Sequence, residues 1–263
     1  MNTAILAGNS GFGGEGGNIG IGFAVPSNLA KQVLDQIEKT GKVSRGYMGV
    51  TLESVTPELA PHFGLSEPHG AIVGTVTPKA PGANAGLKNG DVITAIDGKK
   101  VQGSDDLTMN VISHAPGSQV TLDVVRDGKP MKVNVTLGQR PSGVNWNQSG
   151  QNGDSDDSDK DDSDNSGNVS ARGISVENLT PDIARQAGVE PGTRGVIITD
   201  VDQSSPAADA SIGRGLVIVA VNRTPVANVQ DFKRQMNEAQ GKSVLLTINQ
   251  GGQNLFVVVP AKQ

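Results

Sequence analysis

An internal repeat constrains this chain more than any other feature of its sequence. Residues 43–140 and 170–263 share an order of glycines, prolines and apolar runs, at an offset of 124 that grows to 125. A unit of this size, with short apolar strands and two helical stretches, can fold independently. The sequence therefore predicts a mainly β, α+β fold with two copies of one domain, each a short-stranded sandwich with two helices.

The matches extend over strands, turns and a short helix. They are Gly49-Val50 with Gly173-Ile174, Thr56-Pro57 with Thr180-Pro181, Gly70-Ala71 with Gly195-Val196, Ala80-Pro81 with Ser205-Pro206, and Gly90-Asp91 with Gly215-Leu216. In the first copy, strands are expected over 48–52, 71–76, 91–96, 120–126 and 131–137. Thr56-Pro57 predicts a helix start, Ser104 predicts the cap of a helix reaching His114, and Asp127-Gly128 predicts a hairpin turn.

A glycine-punctuated turn leads into the first repeat at Arg45–Val50. Such a turn can leave backbone N–H groups beside an open strand edge, where they hold a peptide carboxylate while the strand pairs with the peptide main chain. The helix after Ser104 would form the other wall. The predicted peptide-binding residues are Arg45, Tyr47, Met48, Gly49, Val50, Leu107 and Val111. The alternative is a purely structural turn.

A second groove is predicted at the corresponding place in the second repeat. Its residues are Arg172, Gly173, Ile174 and Val176. This copy lacks the tyrosine and the second hydrophobic residue of the first turn.

Residues 141–169 are expected to be a disordered linker. Ser, Asn, Gly and Gln dominate, and an acidic run extends from Asp154 to Asp164, so the segment cannot bury enough apolar surface to fold. Asp154, Asp156 and Ser158 resemble the first ligands of a calcium loop, but the glycine and glutamate that such a loop requires are missing. A solvated spacer is therefore the favoured interpretation.

Composition excludes several classes of function. A net charge of −5 and 3% aromatic residues argue against nucleic-acid partners. The absence of cysteine excludes disulfides and thiolate metal sites, and His62, His69 and His114 are not spaced as metal ligands. No apolar run is long enough to span a bilayer. We expect neither a cofactor nor a bound metal.

Residues 1–42 have a different pattern, with a strand, a glycine-rich loop, a second strand and a helix. One hairpin and one helix are too small to bury a core alone, so this part is expected to require a partner. The start of the chain lacks the basic and long apolar regions of a signal peptide.

Two stretches carry a resemblance to known families. Pro81, Ala85-Gly86-Leu87, Gly90-Asp91-Val92-Ile93 and Gly98 resemble the core pattern of a bacterial PDZ domain. The second copy has Leu216 and Arg223 where the first has Asp91 and Gly98. Residues 2–29 are similar to the end of the protease domain of the HtrA/Do serine proteases, in which two PDZ domains follow.

The resemblance implies that residues 1–42 are the last strands and helix of a chymotrypsin-like barrel. It also implies cleavage of unfolded proteins without ATP, a periplasmic or cell-envelope location and a trimer-based homo-oligomer. The family's catalytic residues would precede Asn2, so the chain itself is expected to bind peptides with apolar ends and not to cleave them.

Two alternatives remain, namely a non-catalytic scaffold and an active protease using Ser10 or a cryptic dyad. Ser10 lies in Gly8-Asn9-Ser10-Gly11, which imitates the nucleophile motif of that family. It follows the Asn2–Leu6 strand, whereas the family's nucleophile precedes it, so a flexible loop is the favoured interpretation.

Overall fold

The computed structural model describes residues 2–7, 18–24, 27, 31, 34, 37–38, 41, 43–139, 169–239 and 241–261. The chain divides into two compact units, Met1–Arg45 and Gly46–Gln263, which are described separately. The linker with its acidic run lies outside the described residues.

The first unit contains an antiparallel hairpin. Strand β1 (Asn2–Ala7) pairs with β2 (Asn18–Ala24), with Ile5 opposite Gly22. Ser10 and its glycine-rich loop lie outside the described residues. Leu34 and Ile37 are helical, as predicted, but they are 57% and 46% exposed.

The first repeat is built around an open antiparallel sheet with the order β4-β5-β6-β8-β9, and β7 pairs with β6. Strands β3 and β10 pair separately. The elements are β3 (Gly46–Tyr47), β4 (Val50–Ser54), a 3-10 helix (Ala60–Phe63), β5 (Ala71–Val76), α1 (Pro81–Asn84), β6 (Val92–Ile96), β7 (Lys99–Lys100), α2 (Ser104–Ser113), β8 (Gln119–Arg126), β9 (Lys129–Thr136) and β10 (Gly138–Gln139).

Two helix starts in this repeat differ from the prediction. The helix expected at Pro57 is a 3-10 turn beginning at Ala60, because Pro61 has no N–H to donate to the carbonyl of Pro57. Ser104 is the first helical residue and not the cap, which is Gly103. The N–H of Ser104 donates to Ser54 Oγ at 2.9 Å, so β4 supplies the capping oxygen.

The second repeat forms one sheet with the order β11-β12-β13-β14-β16-β17, and β15 pairs with β14. The elements are β11 (Val169–Ala171), β12 (Ile174–Asn178), α3 (Pro181–Gln186), β13 (Val196–Val201), α4 (Pro206–Asp209), β14 (Val217–Val221), β15 (Thr224–Pro225), α5 (Val229–Glu238), β16 (Val244–Gln250) and β17 (Gln253–Val259). The predicted mainly β class is confirmed, and none of the described sheets closes into a barrel.

Each repeat has its own apolar core, and the first also contains an ion pair between the buried Asp91 and the half-buried Arg126. Asp91 is 1% exposed. Both of its carboxylate oxygens accept hydrogen bonds from Arg126, each at 2.7 Å, and one also accepts the N–H of Lys88 at 2.8 Å. Hydrogen bonding to Asp91 raises the pKa of Arg126. The pair fixes the turn before β6 to the end of β8.

A third apolar cluster joins the two repeats. It contains Phe63 and Ile72 from the first repeat, and Leu245 and Phe256 from the second. The rings of Phe63 and Phe256 meet edge to face with centroids 5.2 Å apart, a favourable aromatic geometry. The guanidinium carbon of Arg223 lies 5.4 Å from the centroid of the Phe63 ring.

Polar contacts to β17 surround this cluster. The N–H of Asn254 donates to Thr75 Oγ1 at 2.9 Å, and the N–H of Phe256 donates to the Glu53 carboxylate at 3.1 Å. A Cβ on Gly74 would lie 2.5 Å from the carbonyl oxygen of Asn254, so the close approach requires glycine there. Burial raises the pKa of Glu53, partly offset by the hydrogen bond from Phe256.

Candidate functional site

The edge of β4 is open, and a cavity lies beside it. Within the described residues β4 pairs with β5 alone. Helix α2 runs alongside, and the space between them is a cleft of about 190 Å³. The lining residues are Gly46, Tyr47, Met48, Gly49, Val50, Leu52, Thr108, Val111 and Ile112. This arrangement offers unpaired main-chain groups next to a mainly apolar pocket.

Glycine is required at two points of the turn above the cleft. Gly49 has φ +74°, and a Cβ there would lie 2.2 Å from the Cβ of Ala80. A Cβ on Gly46 would lie 2.4 Å from the carbonyl oxygen of Val111, where the turn meets α2. The absence of a side chain at Gly46 and Gly49 therefore allows the backbone to approach its neighbours closely on both sides.

Hydrogen bonds hold the carbonyls of this turn and leave its amides available. The N–H of Gly82 donates to the Met48 carbonyl at 2.7 Å, and the N–H of Thr77 donates to the Gly49 carbonyl at 2.9 Å. In the part of the chain that the structure describes, the N–H groups of Met48 and Gly49 have no acceptor within hydrogen-bond distance. Successive free amides of this kind form an anion-binding concavity.

The structure brings together most of the residues predicted for the first groove. Tyr47, Met48, Gly49, Val50 and Val111 all line the cleft. Leu107 does not, because it is fully buried in the core of the repeat. Arg45 is exposed and belongs to the preceding unit, so its contact with a peptide carboxylate stays a prediction.

Leu52, Thr108 and Ile112 also line the cleft, although they were not among the predicted peptide-binding residues. Helical spacing could have found the two on α2, since positions 108, 111 and 112 lie on one face of a helix. Leu52 comes two residues after Val50 on β4, so the two side chains are on the same side of the strand.

The three histidines do not form a metal site. His114 Nδ1 lies 2.7 Å from the carbonyl oxygen of Asn110, and its Nε2 lies 3.4 Å from Asp97. His62 Nε2 lies 3.1 Å from Ser243 Oγ, and burial lowers the pKa of its imidazole. His69 lies 3.8 Å from Glu67. No cluster of three or more metal-ligating side chains occurs among the described residues.

The residues predicted for the second groove have other surroundings. Ile174 and Val176 are fully buried in the core of the second repeat. Strand β12 pairs with β13 on one side and β11 on the other. A Cβ on Gly173 would lie 2.2 Å from the Cβ of Ser205, and the Arg172 side chain contacts backbone carbonyls. Burial lowers the pKa of the Arg172 guanidinium.

Comparisons with known proteins identify a family to which both repeats are similar. The family model of the PDZ domain matches residues 46–137 and 171–260. The probable periplasmic serine endoprotease DegP-like of Chlamydia trachomatis serovar D is 36% identical over 265 residues, which cover 100% of this chain and 48% of that protein. The protein of the same name from Brucella suis biovar 1 is 38% identical over 268 residues, which cover 100% and 47%.

The chain thus spans about half the length of these curated relatives. Among solved structures, the HtrA-type protease AlgW with decapeptide is 38% identical, with a TM-score of 0.46, over 54% of this chain and 42% of that one. Across the described residues, no helix is both long and apolar enough to cross a membrane.

Proposed function

This chain belongs to the PDZ domain family, with one copy in each repeat, and we propose that the first copy binds the C-terminal end of an extended peptide. The observation that carries this proposal is the open edge of β4 beside the cleft. A peptide strand can pair with such an edge through its main chain, while a pocket selects its side chains.

In the proposed complex the peptide lies between β4 and α2. The free N–H groups of Met48 and Gly49 hold its terminal carboxylate, with Arg45 as a further cation, and the last side chain enters the cleft. Because the cleft is lined mainly by apolar residues, that side chain should be apolar. A few contacts must offset the ordering of a flexible peptide, so an affinity on the order of micromolar is expected.

The biological role we propose is capture of unfolded proteins for a protease. The relatives that match the whole chain are named periplasmic serine endoproteases, which supports a cell-envelope location and a place in protein quality control. Residues 1–42 would then belong to the end of the protease domain, and the parent protein would be a trimer-based homo-oligomer.

Ile112→Asp tests the groove. Ile112 is a partly exposed lining residue, so the change places a carboxylate in the cleft without emptying the core. Repulsion of the peptide carboxylate and loss of apolar contact should weaken binding by about 2 kcal/mol, roughly 30-fold. Fluorescence anisotropy with a labelled peptide that ends in a free valine carboxylate measures the effect.

Ser113→Asp is the matched control, because the neighbouring Ser113 is exposed and does not line the cleft. It adds the same charge and should leave the affinity almost unchanged. Equal affinities for the two variants would mean that the peptide binds elsewhere. A scaffold that assembles through its groove would instead lose self-association in Ile112→Asp, which analytical ultracentrifugation detects.

The second candidate function is proteolysis by a cryptic dyad. The contact between His62 Nε2 and Ser243 Oγ at 3.1 Å has the geometry of a base beside a nucleophile. A working pair also needs a third group that orients the base, and no carboxylate of the described residues contacts His62. We therefore propose that this chain does not cleave peptides.

Ser243→Ala tests that statement directly. Casein turnover by the wild-type chain should equal the buffer background, and the substitution should leave it unchanged. Turnover that is present in the wild type and absent from Ser243→Ala would establish catalysis by the dyad. Ser10→Ala is the parallel test for the glycine-rich loop.

A further inference from the structure

The two repeats place the segment before the groove strand differently. In the first repeat β3 turns away from β4 and pairs with β10, with Tyr47 opposite Gly138. In the second repeat β11 runs antiparallel along β12, with Ser170 opposite Ser175. Both edges of β12 are therefore paired, while β4 keeps one edge open among the described residues.

The turn between β11 and β12 explains the difference. Arg172 and Gly173 are both left-handed, with φ values of +54° and +81°. Two such residues in succession form the tight two-residue hairpin turn that reverses a strand onto its neighbour. Of the corresponding Met48 and Gly49, only Gly49 is left-handed, so the first repeat does not make this reversal.

The side chain of Arg172 fastens this turn to the rest of the domain. Its guanidinium donates to the carbonyls of Ala239 at 2.6 Å and Lys242 at 2.5 Å, just beyond the end of α5. It also donates to the carbonyls of Val259 at 3.4 Å, the last residue of β17, and of Pro260 at 3.1 Å. Carbonyls near a helix C-terminus need such partners, and α5 is the counterpart of the groove helix α2.

We propose that β11 occupies the peptide position of the second PDZ domain, because it pairs with the edge of β12 to which a peptide would add. The side chains of Ile174 and Val176 point to the same conclusion, since they are fully buried in the core of the second repeat. The corresponding Val50 and Leu52 are partly exposed and line the cleft of the first repeat. The first domain is then the peptide site of the pair. The assignment of peptide binding to the first domain rests on the proposed function, whereas the closed edge of β12 does not depend on it.

A reversible disulfide tests whether β11 must leave for peptides to bind. The chain has no cysteine, and Ser170 and Ser175 are direct cross-strand partners, whose spacing suits a disulfide. In the double variant Ser170→Cys/Ser175→Cys, oxidation locks β11 onto β12, and the reduced form is the matched control. Isothermal titration with the valine-ended peptide should give one site per chain and affinities within about twofold in both forms.

The proposal is overturned if oxidation removes a peptide site that the reduced form has. That result would mean that the second groove opens and binds peptide in solution.

Amide exchange tests the pairing without any peptide. The closing pair of a two-residue hairpin is hydrogen-bonded and the pairs then alternate, so Val169 and Val176 form the next bonded pair. Val169→Pro removes the donor at that position, whereas Val169→Ala retains it. Mass spectrometry of exchange over 174–178 should show protection in the wild type and Val169→Ala, and exchange at least about tenfold faster in Val169→Pro.

Unprotected exchange of 169–171 in the wild type, or identical rates in the proline and alanine variants, would contradict the closed edge. If none of the variants binds peptide, the proposed function of the first groove fails. The exchange rates still show whether β11 closes the edge of β12 in the second groove.

Discussion

Replacing Asp91 by alanine is expected to destabilise the first PDZ domain by about 3–5 kcal/mol. The carboxylate is 1% exposed and accepts two hydrogen bonds of 2.7 Å from Arg126. Its removal leaves that guanidinium without its counter-charge, although the hydrogen bond to the Gly86 carbonyl remains, and leaves the N–H of Lys88 without an acceptor. A loss of this size is a large fraction of the stability of a typical domain, about 5–15 kcal/mol, so peptide binding should fall with the folded fraction.

Chemical denaturation followed by circular dichroism measures this loss, with Asp123→Ala as the matched control. Asp123 forms a 2.9 Å ion pair with Lys132 in the same sheet, but the Lys132 side chain is 73% exposed. An exposed pair contributes only about 0–1 kcal/mol. Similar midpoints for the two variants would show that the pair of Asp91 and Arg126 is not a major source of stability.

Phe63→Ala should separate the unfolding of the two PDZ domains. The ring is 1% exposed and fills the cluster shared by both repeats, in edge-to-face contact with Phe256. Truncating a buried phenylalanine costs about 3–5 kcal/mol, and this loss falls on the contact between the domains. Differential scanning calorimetry should change from one main transition to two.

Phe232→Ala is the control for this experiment. Phe232 is also fully buried, but it lies in the core of the second repeat. Its truncation should lower the stability of the second domain by a similar amount without releasing the first from the contact. If Phe63→Ala keeps a single cooperative transition, the shared cluster does not couple the domains.

The sequence was sufficient to predict the repeat, its β class and the neighbourhood of the first groove. Glycine spacing located the turn at Arg45–Val50, and the helical pattern after Ser104 located the second wall. Periodicity identifies a face of a helix but not the element that it packs against. Leu107 was therefore assigned to the cleft although it lies in the core, and Ile112 was missed.

The second groove shows why a repeat is an incomplete guide to a site. Gly173 matches Gly49 in sequence and is left-handed in both copies. The difference arises one residue earlier, where Arg172 adopts a left-handed backbone that is uncommon for a non-glycine residue. Its four carbonyl contacts come from residues more than sixty positions away, and no local pattern predicts them.

The contacts between the domains were also inaccessible to sequence reasoning, for the same reason. Thr75 and Asn254 are 179 residues apart. Phe63 looks like an ordinary core residue of its own short helix until its partner Phe256 is placed beside it.

The contact of Thr75 and Glu53 with β17 has a further consequence for solubility. β17 is the last strand of its sheet, and an uncovered last strand is a template for unwanted edge-to-edge association with other chains. Two side chains of the first domain occupy the outward amides of Asn254 and Phe256. The contact between the domains therefore protects this edge from pairing with other chains. Separation of the domains would expose the edge of β17 and favour aggregation.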